Sequence, residues 1–364
     1  IGTNKCVKKI TIVFAVARKE DRMSEQFREI FGPYKEMSVR YDRNQEALWC
    51  YFRPEERPCL SLLMLKELKQ IQQAVIRYFE SGNGHHQYPI SYLVMASQKH
   101  GVFNLGSDLN LFIKLIEQGN RQELLNYASR YIDICYMNAV NLNLPLTTIS
   151  FVQGAALGGG FELAMSSNYL IAVKYAQMGL PEIGFNLFPG MGACSFLIRK
   201  VGMGLAEKMI TTGNIYCGPD LYKMGIIDIL AESGTGYEAV DCFIRKHRRF
   251  ANGLRSIQKV RQLSQPIAYE ELIDISQIWV DAALQLNAED LEAMACNAHS
   301  GIHRHVANEH KSKKNHLIRT KQDRRINQPT VKFPLTDSYG YKVLFDRRRD
   351  RDRRVMDILH VSNR

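Results

Sequence analysis

The sequence predicts an α/β fold, because short apolar strands alternate with helical segments over the first three hundred residues. Three observations support this prediction: apolar runs of strand length, apolar residues at helical spacing between them, and glycine-rich turns that join the two. The chain has 364 residues and is 45% hydrophobic, which is enough to build a large core. Its apolar runs are all shorter than a bilayer-spanning helix requires.

The first predicted elements are a hairpin and a helix. Residues 37–54 alternate around a short polar turn and predict two paired strands, and residues 60–79 carry apolar side chains at helical intervals. Residues 88–97 form a compact apolar run that predicts a buried strand. A second helix is predicted around residues 120–141, and it ends before Pro145.

The middle of the chain repeats a strand, a glycine turn and a helix. Residues 146–154 predict a buried strand that leads into the glycine-rich stretch 153–166, and residues 169–173 predict the next strand. A second stretch, punctuated by glycine and proline, follows at residues 178–193. From there to about residue 300 we expect mostly helix, including residues 271–286.

This pattern divides the chain into four regions. They are an N-terminal extension (1–36), an α/β core (37–245), a C-terminal helical region (246–305) and a basic linker and tail (306–364). Lysines and a short apolar run in residues 5–17 resemble a secretory signal peptide. We expect instead that residues 1–22 are an upstream translation artefact and that Met23 is the natural start, because the sequence that follows is typical of a cytoplasmic protein.

Positive charge is concentrated in the tail. Residues 301–364 contain 17 Lys and Arg against 7 Asp and Glu, a net charge of +10, whereas the first 300 residues contain 31 against 30, a net charge of +1. The tail predicts a polar linker at 311–329 and a small hairpin around 337–340. It can assist docking of an acidic protein, contact nucleic acid or an anionic membrane, or be a solvated extension. We favour the extension, since aromatic interleaving and zinc spacing are both missing.

The eight cysteines are scattered along the chain and include no Cys-x-x-Cys pair. Their neighbours are mostly apolar, which favours reduced, buried thiols in a cytoplasmic protein over a disulfide framework or a zinc site. We therefore predict a cytoplasmic chain that uses neither a metal nor a cofactor.

The stretch QGAALGGGFELAMS, residues 153–166, places the glycines Gly158 to Gly160 directly before a predicted helix and Glu162 in its first turn. A phosphate cradle is one interpretation. The lysine–hydroxyl pair of a P-loop is missing, however, and the dinucleotide-binding spacing is only loosely met. The other interpretation is close packing of helix on strand, with Glu162 complementing the helix dipole, and the stretch alone favours it.

Two further positions change this balance. Glu182 lies twenty residues after Glu162 in another apolar loop, and two acids in such surroundings are typical of proton-transfer sites, because burial and mutual repulsion separate their pKa values. The turn before Asp108 exposes backbone amides, and those of Ser107 and Gly159 can together hold one oxyanion. Taken singly, Glu182 can be a solvated loop acid and the turn an ordinary helix cap.

The chain resembles the crotonase (enoyl-CoA hydratase/isomerase) superfamily in three segments that occur in the same order, FNLGSDL, QGAALGGGFELAMS and MGLPEIGFNLFPGMGA. The resemblance implies a spiral of ββα units with a C-terminal helical region. It also places two catalytic glutamates on Glu162 and Glu182, and the backbone amides of an oxyanion hole on Ser107 and Gly159. Typical hydratases have alanine at the position of Ser107, a difference that matters little because only the backbone is used.

Within the superfamily, the segments VFNLGSDLNLF, LPEIGFNLFPGMGA and IWVDAALQL resemble bacterial diffusible signal factor synthases, and the likeness covers roughly residues 37–300. It implies a quorum-sensing enzyme that dehydrates 3-hydroxyacyl-acyl carrier protein to a cis-2-enoyl thioester and then hydrolyses the thioester to a free fatty acid. The implied partners are an acyl carrier protein or coenzyme A thioester, the receiver domain of a sensor kinase, and further copies of the chain in a trimer or hexamer.

Phe188, Met191 and Trp279 are candidates for the wall of an acyl pocket, although each can equally be a plain core residue. Two other functions stay open. One is an ordinary CoA-linked hydratase or isomerase of the same superfamily. The other is a non-catalytic scaffold that binds a sensor kinase, and the paired glutamates count against it.

Overall fold

Strand pairs followed by helices recur along the chain in this computed structural model. It describes residues 30–81 and 89–298, together with the backbone of 335–336 and 342–343. The predicted translation start at Met23 and the predicted linker at 311–329 lie outside the described residues.

Ten strands occur in the described ranges 30–81 and 89–298. They are β1 (Met37–Asp42), β2 (Ala47–Phe52), β3 (Tyr92–Ser97), β4 (Val102–Asn104), β5 (Thr147–Val152), β6 (Ala155–Leu157), β7 (Tyr169–Val173), β8 (Gln177–Gly179), β9 (Ile215–Cys217) and β10 (Ile229–Ala231).

The helices connect these strands and complete the C-terminal region. They are α1 (Leu62–Glu80), α2 (Leu109–Glu117), α3 (Arg121–Ala139), α4 (Gly159–Met165), α5 (Ala193–Val201), α6 (Met203–Thr212), α7 (Gly218–Lys223), α8 (Gly236–Arg249), α9 (Ala251–Ser264), α10 (Tyr269–Ala283) and α11 (288–298). Short 3-10 turns span Asn141–Asn143 and Pro181–Phe185.

The strands form two sheets. The larger has the order β1-β2-β3-β5-β7-β10 and is parallel apart from the β1–β2 hairpin, whereas the smaller has the order β4-β6-β8-β9 and is parallel apart from the β8–β9 pair. Each successive pair, β3–β4, β5–β6 and β7–β8, gives one strand to each sheet and is then followed by helical structure. The predicted α/β class and the repeated ββα units are confirmed.

The small sheet is held close by glycines that leave no room for a side chain. A Cβ on Gly154 would lie 2.1 Å from the backbone of Gly101, and one on Gly160 would lie 2.1 Å from the carbonyl oxygen of Asn104. Only glycine therefore allows β6 and the start of α4 to lie directly against β4 and the turn after it. This contact brings the sequence around residue 107 next to the sequence around residue 159.

Most long elements lie where the sequence predicts them. The hairpin, the first helix and the strand at 169–173 are confirmed, and α3 fills the predicted helix around 120–141. The expectation of mostly helix after residue 193 is confirmed, although two short strands that it did not include, β9 and β10, lie between the helices. With three residues each, they are too short to show the alternation that marks a strand.

The cysteines that the structure describes are all free thiols. Cys50, Cys59 and Cys135 are buried as expected, but Cys217 and Cys296 are exposed, which corrects the prediction of burial for those two. Among the described helices, none is both long and apolar enough to cross a bilayer.

The chain divides into two compact units, residues 1–305 and residues 306–364. In the second unit, β11 (Leu335–Thr336) pairs antiparallel with β12 (Lys342–Val343). This pairing confirms the predicted hairpin around residues 337–340.

Candidate active site

Three neighbouring strands of the small sheet end at one edge, and each is followed by a segment that the sequence singles out. Ser107 lies three residues after β4, Gly159 two residues after β6, and Glu182 three residues after β8. The three strands are parallel and adjacent, so their carboxyl ends meet. The topology therefore assembles in one place residues that are separated by as many as 75 positions in the sequence.

The turn around Ser107 packs directly on the turn around Gly159. A Cβ built on Gly159 would lie 3.3 Å from the Ser107 backbone nitrogen, and one on Gly106 would lie 3.1 Å from the Gly159 nitrogen. Gly106 has a φ of +94°, a conformation that favours glycine. Its amide donates to the side-chain oxygen of Asn104 over 2.8 Å, which fixes the turn from below.

The amides of Ser107 and Gly159 are the two predicted donors of the oxyanion hole. Within the described part of the chain, no protein acceptor is found for either N–H group. Gly159 is the first residue of α4, where an amide has no partner inside its own helix. Two unpaired donors side by side are the arrangement that stabilises a developing oxyanion.

Glu162 is almost completely buried, with 2% of its surface exposed. Its carboxylate oxygen Oε1 accepts backbone hydrogen bonds from Met191 over 3.0 Å and from Ala193 over 2.9 Å. Burial raises the pKa of Glu162 to about 7, and the two backbone donors oppose this rise because they favour the charged form. Near neutral pH, Glu162 can therefore both lose and take up a proton.

Glu182 lies in the 3-10 turn Pro181–Phe185 and has a different environment. The residue as a whole is partly exposed, but its oxygen Oε2 is fully buried and has no hydrogen-bond partner in the described structure. Burial raises the pKa of Glu182 to about 8, and the nearby charge of Glu162 adds to the rise. An unpartnered buried oxygen of this kind is suited to carrying a proton at neutral pH.

The two loops touch at Gly158. Its φ is +49°, and a Cβ at this position would lie 2.5 Å from Oε1 of Glu182. The glycine run of the sequence is thus explained by clearance: it leaves space for the Glu182 carboxyl group and lets the Ser107 turn approach Gly159.

The three candidates for the acyl pocket are less uniform. Met191 and Trp279 are each 3% exposed and belong to the core, and Phe188 packs against the same core while partly exposed. A Cβ on Gly190 would overlap the Trp279 side chain. The loop whose amides donate to Glu162 therefore packs directly against the Trp279 side chain. Met191 is brought to the site by its backbone, which donates to Glu162. Their role in binding an acyl chain stays a prediction.

Sequence reasoning missed the groups that hold the site in place. The amides of Met191 and Ala193 reach Glu162 from about thirty residues away, and nothing in the spacing of the sequence announces such a contact. Asn104 had a usable signal, since an asparagine two residues before a glycine is typical of a side-chain-stabilised turn.

The family model described as Enoyl-CoA hydratase/isomerase matches residues 68–265. Among curated proteins, the methylglutaconyl-CoA hydratase 1 of Pyricularia oryzae is 28% identical over 198 residues, which cover 50% of this chain and 55% of that protein. The putative enoyl-CoA hydratase/isomerase YngF of Bacillus subtilis is 31% identical over 183 residues, which cover 50% of this chain and 64% of that protein. The chain thus spans only part of the length of these relatives.

Solved structures show the same fold. The enoyl-CoA hydratase of Bacillus halodurans superposes with a TM-score of 0.61 at 15% identity and covers 72% of this chain and 100% of that one. Pseudomonas aeruginosa DspI superposes with a TM-score of 0.54 at 23% identity and covers 65% of this chain and 90% of that one. At these identities the likeness concerns the fold, and it confirms the predicted crotonase-like architecture.

Proposed function

Because this chain belongs to the enoyl-CoA hydratase/isomerase family, we propose that it interconverts a 3-hydroxyacyl thioester and a 2-enoyl thioester by loss or addition of water. The observation that supports this most directly is the pairing of two carboxyl groups of raised pKa with two unpaired backbone amides at one sheet edge. Loss of water from a 3-hydroxyacyl thioester needs a base for the C2 proton, an acid for the departing hydroxyl oxygen and donors for the carbonyl oxygen, and these four groups can supply them.

The thioester carbonyl oxygen is bound between the amides of Ser107 and Gly159 in this proposal. As a proton leaves C2, negative charge develops on that oxygen, and the two donors stabilise the resulting enolate. The loss of one such donor typically costs about 3 kcal/mol in the transition state.

The different environments of the two glutamates support different roles for them in this proposal. Glu162 is the base that takes the C2 proton, since two backbone donors stabilise its ionised form. Glu182 is the acid that protonates the departing 3-hydroxyl group, since its buried oxygen has no donor and its pKa of about 8 keeps it protonated at neutral pH. The products are the 2-enoyl thioester and water, and the hydration direction uses the same groups in reverse.

In this proposal, Phe188, Met191 and Trp279 form part of the wall of the pocket that binds the acyl chain. The Trp279 ring lies 5.0 Å between centroids from Phe112, with the two ring planes tilted by 58°, and Phe112 in turn packs edge-on at 4.8 Å against Tyr127. These three rings are buried, and they connect the loop around Gly190 to the apolar interior, whose side chains are of the kind that line sites for hydrocarbon chains.

A signal factor synthase is the narrower candidate, and the segments that include the Ser107 turn and the aromatic loop after Glu182 favour it. Such an enzyme acts on 3-hydroxyacyl-acyl carrier protein, forms a cis-2-enoyl thioester and adds water to its carbonyl, so that the carrier thiol leaves and a free fatty acid is released. The same pair of amides would stabilise the tetrahedral intermediate of that hydrolysis. Homo-oligomers, a cytoplasmic location and contact with a sensor kinase receiver domain belong to this narrower candidate as well.

Purified full-length chain incubated with 3-hydroxydodecanoyl-acyl carrier protein, and separately with the CoA thioester, tests both candidates by mass spectrometry of the products. Enoyl thioester without release supports the hydratase. Free cis-2-enoic acid supports the synthase. If neither substrate is turned over, and the Glu162→Gln and Glu182→Gln variants behave like the wild type, the enzymatic function is contradicted. The non-catalytic scaffold is then the better hypothesis.

A further inference from the structure

Helix α3 carries two buried tyrosines, Tyr127 and Tyr131, one helical turn apart on the same face. Both hydroxyl groups donate to backbone carbonyls, and neither points to solvent. Tyr131 donates to the carbonyl oxygen of Gly159. Tyr127 donates over 2.6 Å to the carbonyl oxygen of Leu60. Through these two hydrogen bonds, helix α3 contacts the segments next to both amides of the proposed oxyanion hole.

Leu60 connects Tyr127 to Ser107. Its amide donates over 2.7 Å to the carbonyl oxygen of Gly106, and that carbonyl shares a peptide unit with the Ser107 N–H group. A hydrogen bond to the carbonyl of a peptide polarises it and makes its N–H group a better donor. The Tyr127 hydroxyl also lies beside the Ser107 side chain. Leu60 thus links the Tyr127 hydroxyl group to the peptide unit that carries the Ser107 amide.

The second amide is supported in a comparable way. The carbonyl of Gly158 shares a peptide unit with the Gly159 N–H group, and it accepts from the amides of Phe161 over 2.8 Å and Glu162 over 3.0 Å. The hydrogen bond from Tyr131 then fixes the carbonyl at the other end of Gly159.

External support matters here because both amides belong to glycine-rich turns. Gly106 and Gly158 have φ values of +94° and +49°, and glycine leaves such turns with little stiffness of their own. An oxyanion hole works only when its two donors lie within about 3 Å of one oxygen atom. Something rigid has to hold the two turns at that spacing.

We propose that Tyr127 and Tyr131 are positioning residues that hold the Ser107 and Gly159 amides at a fixed separation, so that one face of α3 sets the geometry of the oxyanion hole. The inference rests on the proposed function. Burial raises the pKa of both phenols far above neutral pH, so they remain donors throughout the working range. The phenylalanine variants keep the buried rings and remove only the two hydroxyl groups.

The test compares Tyr131→Phe, Tyr127→Phe and the double variant with Tyr136→Phe, a matched control on the same helix whose ring contacts Tyr269. We expect each single variant to lower kcat about tenfold with KM changed less than about twofold, because a misplaced donor weakens transition-state stabilisation. Infrared difference spectra of a bound, carbonyl-¹³C-labelled 2-enoyl-CoA should show a smaller downshift of the thioester C=O stretch in both variants and an unchanged one in the control.

A well-folded Tyr131→Phe variant with wild-type kcat and a wild-type carbonyl frequency overturns the inference, as does a loss confined to KM or to the thermal midpoint. If Tyr131→Phe does not fold, Tyr127→Phe decides the question alone by the same two readouts. A wild-type protein that downshifts the bound carbonyl but turns over no thioester overturns the proposed function, and the spectra of the variants still decide the role of the tyrosines.

Discussion

The turn that carries Glu162 and the turn that carries Glu182 lie on either side of Gly158. The two carboxyl groups nevertheless differ in their burial and in their hydrogen bonds. Glu162 is on a helix, is almost fully buried and receives two backbone donors. Glu182 is on a 3-10 turn, is partly exposed and leaves one buried oxygen without a donor.

The two acids therefore differ in their hydrogen bonding as well as in their exposure. Burial is the largest cause of the raised pKa of each group, which is about 7 for Glu162 and about 8 for Glu182. Backbone donors favour the charged form of Glu162, and that charge in turn favours the protonated form of Glu182. In the proposed reaction, this difference would give one proton acceptor and one proton donor at the same pH.

Removing either carboxyl group tests this division of labour most severely. We expect Glu162→Gln and Glu182→Gln each to lower kcat by about 10²- to 10⁴-fold, since each removes a general acid or base while keeping the side-chain shape. Steady-state turnover of a 3-hydroxyacyl thioester measures the loss.

Glu117→Gln is the control, because Glu117 is an exposed residue at the end of α2. Its kcat should equal that of the wild type. Retention of wild-type kcat by either active-site variant would contradict the paired roles.

Crowding the boundary between the two turns should have the next largest effect. In Gly158→Ala, the new methyl group would meet Oε1 of Glu182 at 2.5 Å and force the carboxyl group to move, so we expect kcat to fall about 10²-fold. The matched control is Gly184→Ala in the same turn as Glu182, where a Cβ meets nothing within 4 Å. Equal kcat for the two variants would show that Gly158 provides no clearance for catalysis.

The sequence predicts the individual elements and site residues better than it predicts their arrangement in space. Residues 169–173 form an unbroken apolar run, residues 60–79 carry apolar side chains at helical intervals, and the glycine run with Glu162 and Glu182 forms a recognisable pattern. The three-residue strands β4, β6 and β8 show no periodicity, although their parallel ends are what brings the site together.

The inequality of the two acids is also invisible in the sequence. It depends on the amides of Met191 and Ala193, which any residue other than proline supplies equally well at those positions. Tyr127 and Tyr131 on α3 look like ordinary core residues, because a buried aromatic pair four positions apart is typical of any helix that packs on a sheet. Backbone contacts made by distant segments leave no signature in residue type.

The pH dependence of the free energy of unfolding tests the raised pKa of Glu182. Because that pKa rises from an ordinary 4.5 to about 8 on folding, the folded chain binds a proton between these values and its free energy of unfolding falls as the pH rises through them. Glutamine does not titrate. Between pH 5 and pH 9, the wild type should therefore lose about 2 kcal/mol more than Glu182→Gln, with allowance for the partial exposure of Glu182. Urea unfolding at both pH values measures the difference, and parallel losses in the two proteins would contradict it.

The smallest expected effect concerns the coupling between the two acids. The wild-type rate should follow a bell-shaped pH profile with its maximum between pH 7 and pH 8, limited on the acid side by Glu162 and on the alkaline side by Glu182.

In Glu162→Gln the neighbouring charge that helps to raise the pKa of Glu182 is gone, so this pKa should fall by less than about one pH unit, because burial is the larger cause and remains. An infrared titration of the Glu182 carboxylic-acid band in Glu162→Gln measures the change. A return to the ordinary value of 4.5 would show instead that the charge of Glu162, and not burial, controls the proton on Glu182.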